Sequence, residues 1–317
     1  EGLKFLMDNG VMPSTYTLMM LCGAELGRDE AIKKYEMKSK FRILPKQFGK
    51  YRENKVFEIE QVCISTNTMN FQSYLKCRNH SFIVKLLTQK IFSPIRKLTQ
   101  RFEINWYDIT RELADIVQDE SFTGRLKDLY NGFCTESYTE LFDTKEETIA
   151  FYNKAENYES LARGDVGENL SEKYMGKAML IYKDILTTLF YVIRNKLDKS
   201  YDKESDLIVN SAEKWLKNLY MIEEIFDEVK VPEKYEQYEL KIDFDFPKWL
   251  SEDHLPFDKF KNKCTYKMAY DVDRIKYCRN ANRSNEINSD RMRTIGRFIR
   301  RQMSGSATIF EKQFQKI

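Results

Sequence analysis

The chain has 317 residues, 42% apolar and 32% charged, with a formal net charge of +3. That length and apolar fraction support a sizeable core and exclude an intrinsically disordered chain. Acids and bases are interspersed, so no whole-chain charge points to nucleic acid or anionic lipid as a partner.

With 12 glycines and 6 prolines against many Lys, Glu, Leu and Ile, the composition favours long helices over an all-β fold. Leu3, Leu6 and Met7 precede Asn9-Gly10, which reads as the end of a helix over residues 1–10. Residues 16–21 form an apolar run of the kind that makes a buried strand. Gly23 would give this strand a tight exit, and residues 29–40 then read as a helical crossover. "FRILPKQFGKY" reads as a short strand with a Pro at its end and a Gly turn. "KVFEIEQVCIST" alternates and then becomes continuously apolar, as a strand moving from edge to interior would. Thr66 or Asn70 caps the next helix, whose apolar stripe is Phe71, Tyr74, Leu75, Phe82, Leu86 and Leu87.

From about residue 93 to 229 the pattern is helical. "PIRKLTQRFEINWYDITRELADIVQDE" fits one or two helices, and "TKEETIAFYNKAENYESLARG" stops at Gly164. "SEKYMGKAMLIYKDILTTLFYVIRNKL" is the longest candidate, and a further helix ends at Val231-Pro232. "YELKIDFDFPKWL" then alternates as a half-buried strand, and "CTYKMAYDVDRIKYCR" supplies a second strand or a short helix. Residues 289–303 are amphipathic, with Met292, Ile295, Ile299 and Met303 on one face among arginines. No apolar run is long enough to span a membrane, and the first residues lack the basic and apolar regions of a signal peptide.

The cysteines at 22, 63, 77, 134, 264 and 278 form no Cys-x-x-Cys pair. Dispersed thiols suit a reduced, cytoplasmic protein. With two histidines, Cys/His zinc spacing cannot be assembled locally.

Taken together, "MMLCGAEL", "KFRILPKQFGKY", "EIEQVCISTNTMNFQSYLKCR" and "FDFPKWL" resemble the C-terminal part of a radical SAM enzyme, that is, a radical S-adenosylmethionine enzyme, of the cobalamin (B12)-binding-domain type. The resemblance covers residues 1–95 best. It implies the last strands and helices of a (β/α) barrel, with S-adenosylmethionine and a [4Fe–4S] cluster in the full-length protein and cobalamin as a further cofactor. It also implies that the turn carrying Cys22, Gly23 and Glu25 faces the S-adenosylmethionine pocket. The family's turn is close to Gly-x-Pro-Gly-Glu-Thr. Here Gly23 matches, there is no Pro, and Glu25 falls one place late. The Cys-x3-Cys-x2-Cys cluster loop has no counterpart here, so the resemblance places it in a missing N-terminal half. A chain without it would be inactive alone and would expose strand edges and apolar faces.

Several residues carry a sharp and a plain reading. Glu58 and Glu60 share one side of a strand, as paired catalytic carboxylates or a solvated face would. Arg42 could hold an anionic ligand or a surface ion pair. Cys63 and Cys77 read as buried small apolar groups, and Cys264 and Cys278 repeat their spacing of fourteen by coincidence. His80 and His254 are isolated, and Met19-Met20 reads as core. "RMRTIGRFIRRQ" is either a partner-binding helix or a docked surface helix with arginines in water.

The expected fold is α+β and mostly helical. A partial (β/α) barrel tail over residues 1–95 is followed by a helical domain over 96–230 and a small α+β region with a basic helix over 231–317. The expected function is the C-terminal fragment of a radical S-adenosylmethionine enzyme, its substrate unread. The alternative is a non-catalytic helical module that binds a partner through the basic helix.

Overall fold

A computed structural model describes residues 2–197, 203–226, 236–252, 254–283, 294–298 and 310–317. Helix α1 (Gly2–Asp8) stops where Gly10 takes a φ of 75°. Residues 16–21 do not form the buried strand their composition suggests. Their one bridge is antiparallel, Met19 to Val62, and Tyr16 and Leu21 are 89% and 54% exposed. A 3-10 turn (Glu25–Gly27) leads into α2 (Asp29–Lys34). The expected crossover to residue 40 is cut to that length because Glu36 turns left-handed, at a φ of 48°.

Strands β1 (Lys38–Tyr51) and β2 (Asn54–Ser65) form one long antiparallel hairpin, with Arg42 opposite Glu60 and Tyr51 opposite Asn54. Every strand pair among the described residues is antiparallel. The observed fold is thus mostly helical α+β with small antiparallel sheets, and no partial (β/α) barrel is seen among the described residues. The reason is local: Arg52-Glu53 leaves room for a hairpin turn, whereas a parallel partner needs a crossover of about a dozen residues. Pro45 and Gly49, expected to end a short strand, lie inside β1. The register shifts between Ile43 and Phe48, with Lys46 at a φ of 64°. Such a bulge accepts a proline, whose missing N–H would break a regular ladder.

Helix α3 (Phe71–Leu87) begins at Asn70, whose side chain accepts a hydrogen bond from the Ser73 N–H. The next helices are α4 (Ser93–Arg101) and α5 (Trp106–Gln118), then α6 (Arg125–Thr139) and α7 (Lys145–Asn153), the last opened by a Thr144–Glu147 capping box. Helix α8 (Ala155–Arg163) ends at Gly164, left-handed at a φ of 80°, as its sequence predicts. The single long helix expected over residues 171–197 is two, α9 (Leu170–Met179) and α10 (Tyr182–Leu197). Helices α11 (Lys203–Leu219) and α12 (Ile222–Phe226) follow, while Val231-Pro232 lies outside the described residues. One apolar core runs through these helices, from Met7 and Phe82 to Phe310. Two satellite clusters seat the hairpin, one around Val62, Ile64 and Tyr74, the other around Ile43, Tyr152 and Leu161.

The C-terminal sheet joins β3 (Gln237–Ile242), β4 (Cys264–Ala269) and β5 (Gln313–Lys316) in that order. Phe244 and Phe246 do not prolong β3, because Asp245 caps α13 (Phe246–Ser251). "CTYKMAYDVDRIKYCR" is both of its alternatives, β4 and then α14 (Val272–Arg283). The Asp245 carboxylate also accepts from the Tyr266 hydroxyl at 2.6 Å and from Lys316 Nζ at 2.5 Å, which ties β4 and β5 to α13. Of the amphipathic stretch 289–303, residues 294–298 are described and helical, with Ile295 and Phe298 buried. The remainder of "RMRTIGRFIRRQ" lies outside the described residues. No described helix is long and apolar enough to cross a membrane.

Candidate functional site

Helix α3 has two working faces. Phe82, Ile83, Leu86 and Leu87 enter the core. Tyr74, Cys77, Arg78, Ser81 and Lys85, spaced i, i+3, i+4, i+7 and i+11, line a cleft instead. The other walls are the extended segment from Thr15, the hairpin, and the entry to α9. The cleft has two adjoining compartments, of about 260 and 360 Å³, which share Thr15, Thr17, Arg78 and Lys85. The first is mixed, with Leu18, Met69, Phe82 and Phe133 beside Cys63, Cys77, Thr66 and Ser81. The second is charged, with Arg42, Glu60, Glu140, Glu168 and Glu172.

An ion-pair network closes the floor of the charged compartment. Arg42 and Glu60 are cross-strand neighbours, and Arg42 Nε donates to Glu60 Oε1. Arg42 Nη1 donates to Glu140 Oε1 at 2.7 Å, and Arg78 Nη2 donates to the same oxygen at 2.5 Å. Arg78 Nη1 also donates to Thr17 Oγ1 at 3.1 Å, which fixes the extended segment onto α3. All four charged side chains are 16% exposed or less. Burial opposes the charge on Arg42, but Glu140 and then Glu60 outweigh it and raise its pKa above the ordinary value. Glu140 follows the last residue of α6, where two guanidinium groups are also favoured by the helix dipole.

The α9 wall is set by backbone geometry. Gly167 has a φ of 70°, and a Cβ there would collide with Leu161 and come within 2.8 Å of Ile43 Cγ2. Only glycine lets this loop press against the hairpin, and the next residue is Glu168. Asn169 caps α9, and α9 is tied to α6 by Lys173 Nζ to Glu136 at 2.9 Å and the Tyr174 hydroxyl to Glu136 at 2.6 Å. Burial pushes the Cys63 thiol and the Tyr74 hydroxyl above their ordinary pKa values.

Cys22, Gly23 and Glu25 lie together on an exposed turn, with Gly23 at a φ of 83°, and are not among the residues that wall the cleft. Glu58 is exposed while Glu60 turns into the network, so the strand pair does not act as one unit. Arg42 is not a surface ion pair but a mostly buried one. Cys63 is buried as expected, whereas Cys77 is exposed at the cleft wall; Cys264 and Cys278 are buried far along the chain. Met19 is partly exposed rather than core. His80 is half-buried, and burial holds its pKa below the ordinary value. His254 is exposed. All six thiols are free, and no group of three or more His, Cys, Asp or Glu is placed to hold a metal among the described residues. These residues therefore do not fit a [4Fe–4S] cluster, which needs converging thiolates.

The sequence reading missed Arg78, Lys85 and Glu140. The first two were accessible, because they fall at helical spacing from Tyr74, along the edge of the apolar stripe of α3. Glu140 carried no local signal. No protein-family model and no curated protein matches the chain.

Proposed function

We propose that this chain forms the substrate side of a radical S-adenosylmethionine enzyme of the cobalamin-binding-domain type. One observation carries the reading: three of the four phrases behind the resemblance put residues on one cleft, while "FDFPKWL" puts none there. "KFRILP" supplies Arg42 and Pro45, and "EIEQVCISTNTM" supplies Glu60, Cys63 and Met69. "FQSYLKCR" supplies Tyr74, Cys77 and Arg78, and Met19 opens "MMLCGAEL".

In this reading the described residues bind and orient a substrate. Phe82 and Phe133 keep water from its apolar part, and the Arg42–Glu60–Glu140–Arg78 network holds the polar end rigid. S-adenosylmethionine, the cluster and cobalamin belong to the whole enzyme, and no described residue is assigned to the cluster.

The test takes the complete reading frame that encodes this chain. The protein is purified anaerobically, reconstituted with iron and sulfide, and assayed under reductant for 5′-deoxyadenosine from S-adenosylmethionine. Formation of 5′-deoxyadenosine supports the proposal. A frame with no Cys-x3-Cys-x2-Cys loop and no 5′-deoxyadenosine retires it, leaving the partner-binding module as the reading to pursue.

A further inference from the structure

We infer that a separate cavity binds a small organic carboxylate, its anionic head on Arg96 and its apolar body against Trp106, Met7 and Met12. The cavity has a volume of about 330 Å³ and shares no lining residue with the cleft beside α3. The inference does not depend on the radical reading.

The cavity lies where the end of α1 and the turn after it meet α4 and the first residue of α5. Glu103 turns left-handed at a φ of 57°, which brings α5 back against α4. Arg96, on α4, reaches the C-terminal end of α3, where its Nη1 donates to the carbonyls of Leu87 at 2.8 Å and Gln89 at 3.1 Å. The guanidinium also lies over the Trp106 ring, 5.9 Å from its centre. Those contacts use one nitrogen and one face. Nε and Nη2 have no partner among the described residues, and neither is sealed inside the protein. They form the side-on edge of the guanidinium, whose parallel N–H groups match the two oxygens of a carboxylate. No carboxylate offsets Arg96 among the described residues: burial alone acts on it and pushes its pKa from 12.5 to about 10. Asp8, the acid on the cavity wall, is already held by Asn105 Nδ2 and by Lys4 Nζ at 3.1 Å. Trp106 adds an independent sign. It is 6% exposed, and its indole N–H is buried without an acceptor, which folded proteins seldom leave so. Both unmet groups are donors on one cavity, at the N-terminal end of α5, where the helix dipole also favours an anion. Met7, Met12, Ile104 and the Trp106 ring supply an apolar wall. An inorganic ion would leave that wall uncovered, so the fit is to an anion with an aliphatic or aromatic body.

The test needs neither cluster nor S-adenosylmethionine. Benzoate, hexanoate, benzamide and inorganic phosphate are titrated into the full chain by calorimetry, with tryptophan fluorescence followed in parallel. The two carboxylates are expected to bind saturably. Benzamide, which keeps the ring but not the charge, is expected to bind at least about tenfold more weakly than benzoate. Arg96→Lys keeps a charge and a donor for the α3 carbonyls but loses the side-on edge, so it should weaken benzoate about tenfold and leave benzamide unchanged. Trp106→Phe should remove the fluorescence change. Benzamide binding as tightly as benzoate would make this a plain apolar pocket and overturn the inference. Phosphate binding as tightly as benzoate would overturn it too, because the apolar wall would then contribute nothing. So would an unchanged benzoate affinity in Arg96→Lys, a fluorescence change that survives Trp106→Phe, or no saturable binding by either carboxylate. Should Arg96→Lys fail to fold, benzoate against benzamide on the parent protein decides the matter.

Discussion

Glu140→Ala is the sharpest probe of how the cleft is held. One oxygen of Glu140 accepts from Arg42 at 2.7 Å and from Arg78 at 2.5 Å. After truncation Arg42 keeps Glu60, but Arg78 loses its carboxylate and keeps the Thr17 hydroxyl and the face of Phe133, with its side chain 10% exposed. Removing one partner of a buried ion pair costs about 3–5 kcal/mol, because the remaining charge is stranded. The retained Arg42–Glu60 pair and the residual exposure reduce this to about 2–4 kcal/mol. Melting entropy scales with length, so for 317 residues each kcal/mol moves Tm by about 1.5 °C. Scanning calorimetry should therefore find Tm lowered by about 3–6 °C. The Arg78→Met, Glu140→Leu double variant removes both charges and should recover most of the loss. If it melts no higher than Glu140→Ala, the stranded-charge argument is wrong, and the effect belongs to packing at the end of α6.

Three further outcomes are expected. Lys312 is 4% exposed between the Tyr238 and Tyr270 rings, facing Glu223 and Glu224 from α12 and Lys183 from α10, and burial pushes its pKa down from 10.5 to about 8. Between those values the unfolded chain holds the proton that the folded chain has lost, so Lys312 adds stability as pH rises through that window, against the buried thiols, whose raised pKa values act the other way above 9. Burial pushes the Tyr238 pKa up to about 12, which reverses the slope above its ordinary 10, so denaturation curves are best compared from pH 8 to pH 10. Lys312→Met should lower the slope relative to the parent protein, and equal slopes in the two proteins would refute this account. At Gly296 a Cβ would collide with Glu172 O and lie 2.9 Å from Gly176 N, so Gly296→Ala should cost at least about 2 kcal/mol by forcing its helix off α9; a loss within urea-melt error would show that the two helices do not touch. In native protein, iodoacetamide with peptide mapping should modify Cys22 and Cys77 first and Cys63, Cys264 and Cys278 only on unfolding, since burial pushes the Cys278 thiol up to about 11. Early labelling of Cys278 would contradict its place in the core.

Local chemistry was legible in the sequence wherever a few neighbouring residues decide the outcome. The Asn70 cap, the Gly164 stop, the helical middle of the chain and the strands around Arg42, Glu60 and Leu240 all follow from capping, breaking and periodicity, which act within one or two turns. Arg78 and Lys85 were equally available, because they share the helical spacing of Tyr74. Strand direction was not, since alternation is the same in parallel and antiparallel sheets and the Arg52-Glu53 turn lacks the usual glycine. Nor did the apolar run at residues 16–21 reveal that it would lie exposed against β2, because burial depends on what packs over a segment and not on its composition alone. The cleft belongs to the tertiary structure most of all. Glu140 lies 98 residues from Arg42 and 62 from Arg78, and no local pattern marks a carboxylate that two distant guanidiniums will share. Only the packing of α6 against α3, with the hairpin laid beside them, brings the three together in a space dry enough for their charges to matter.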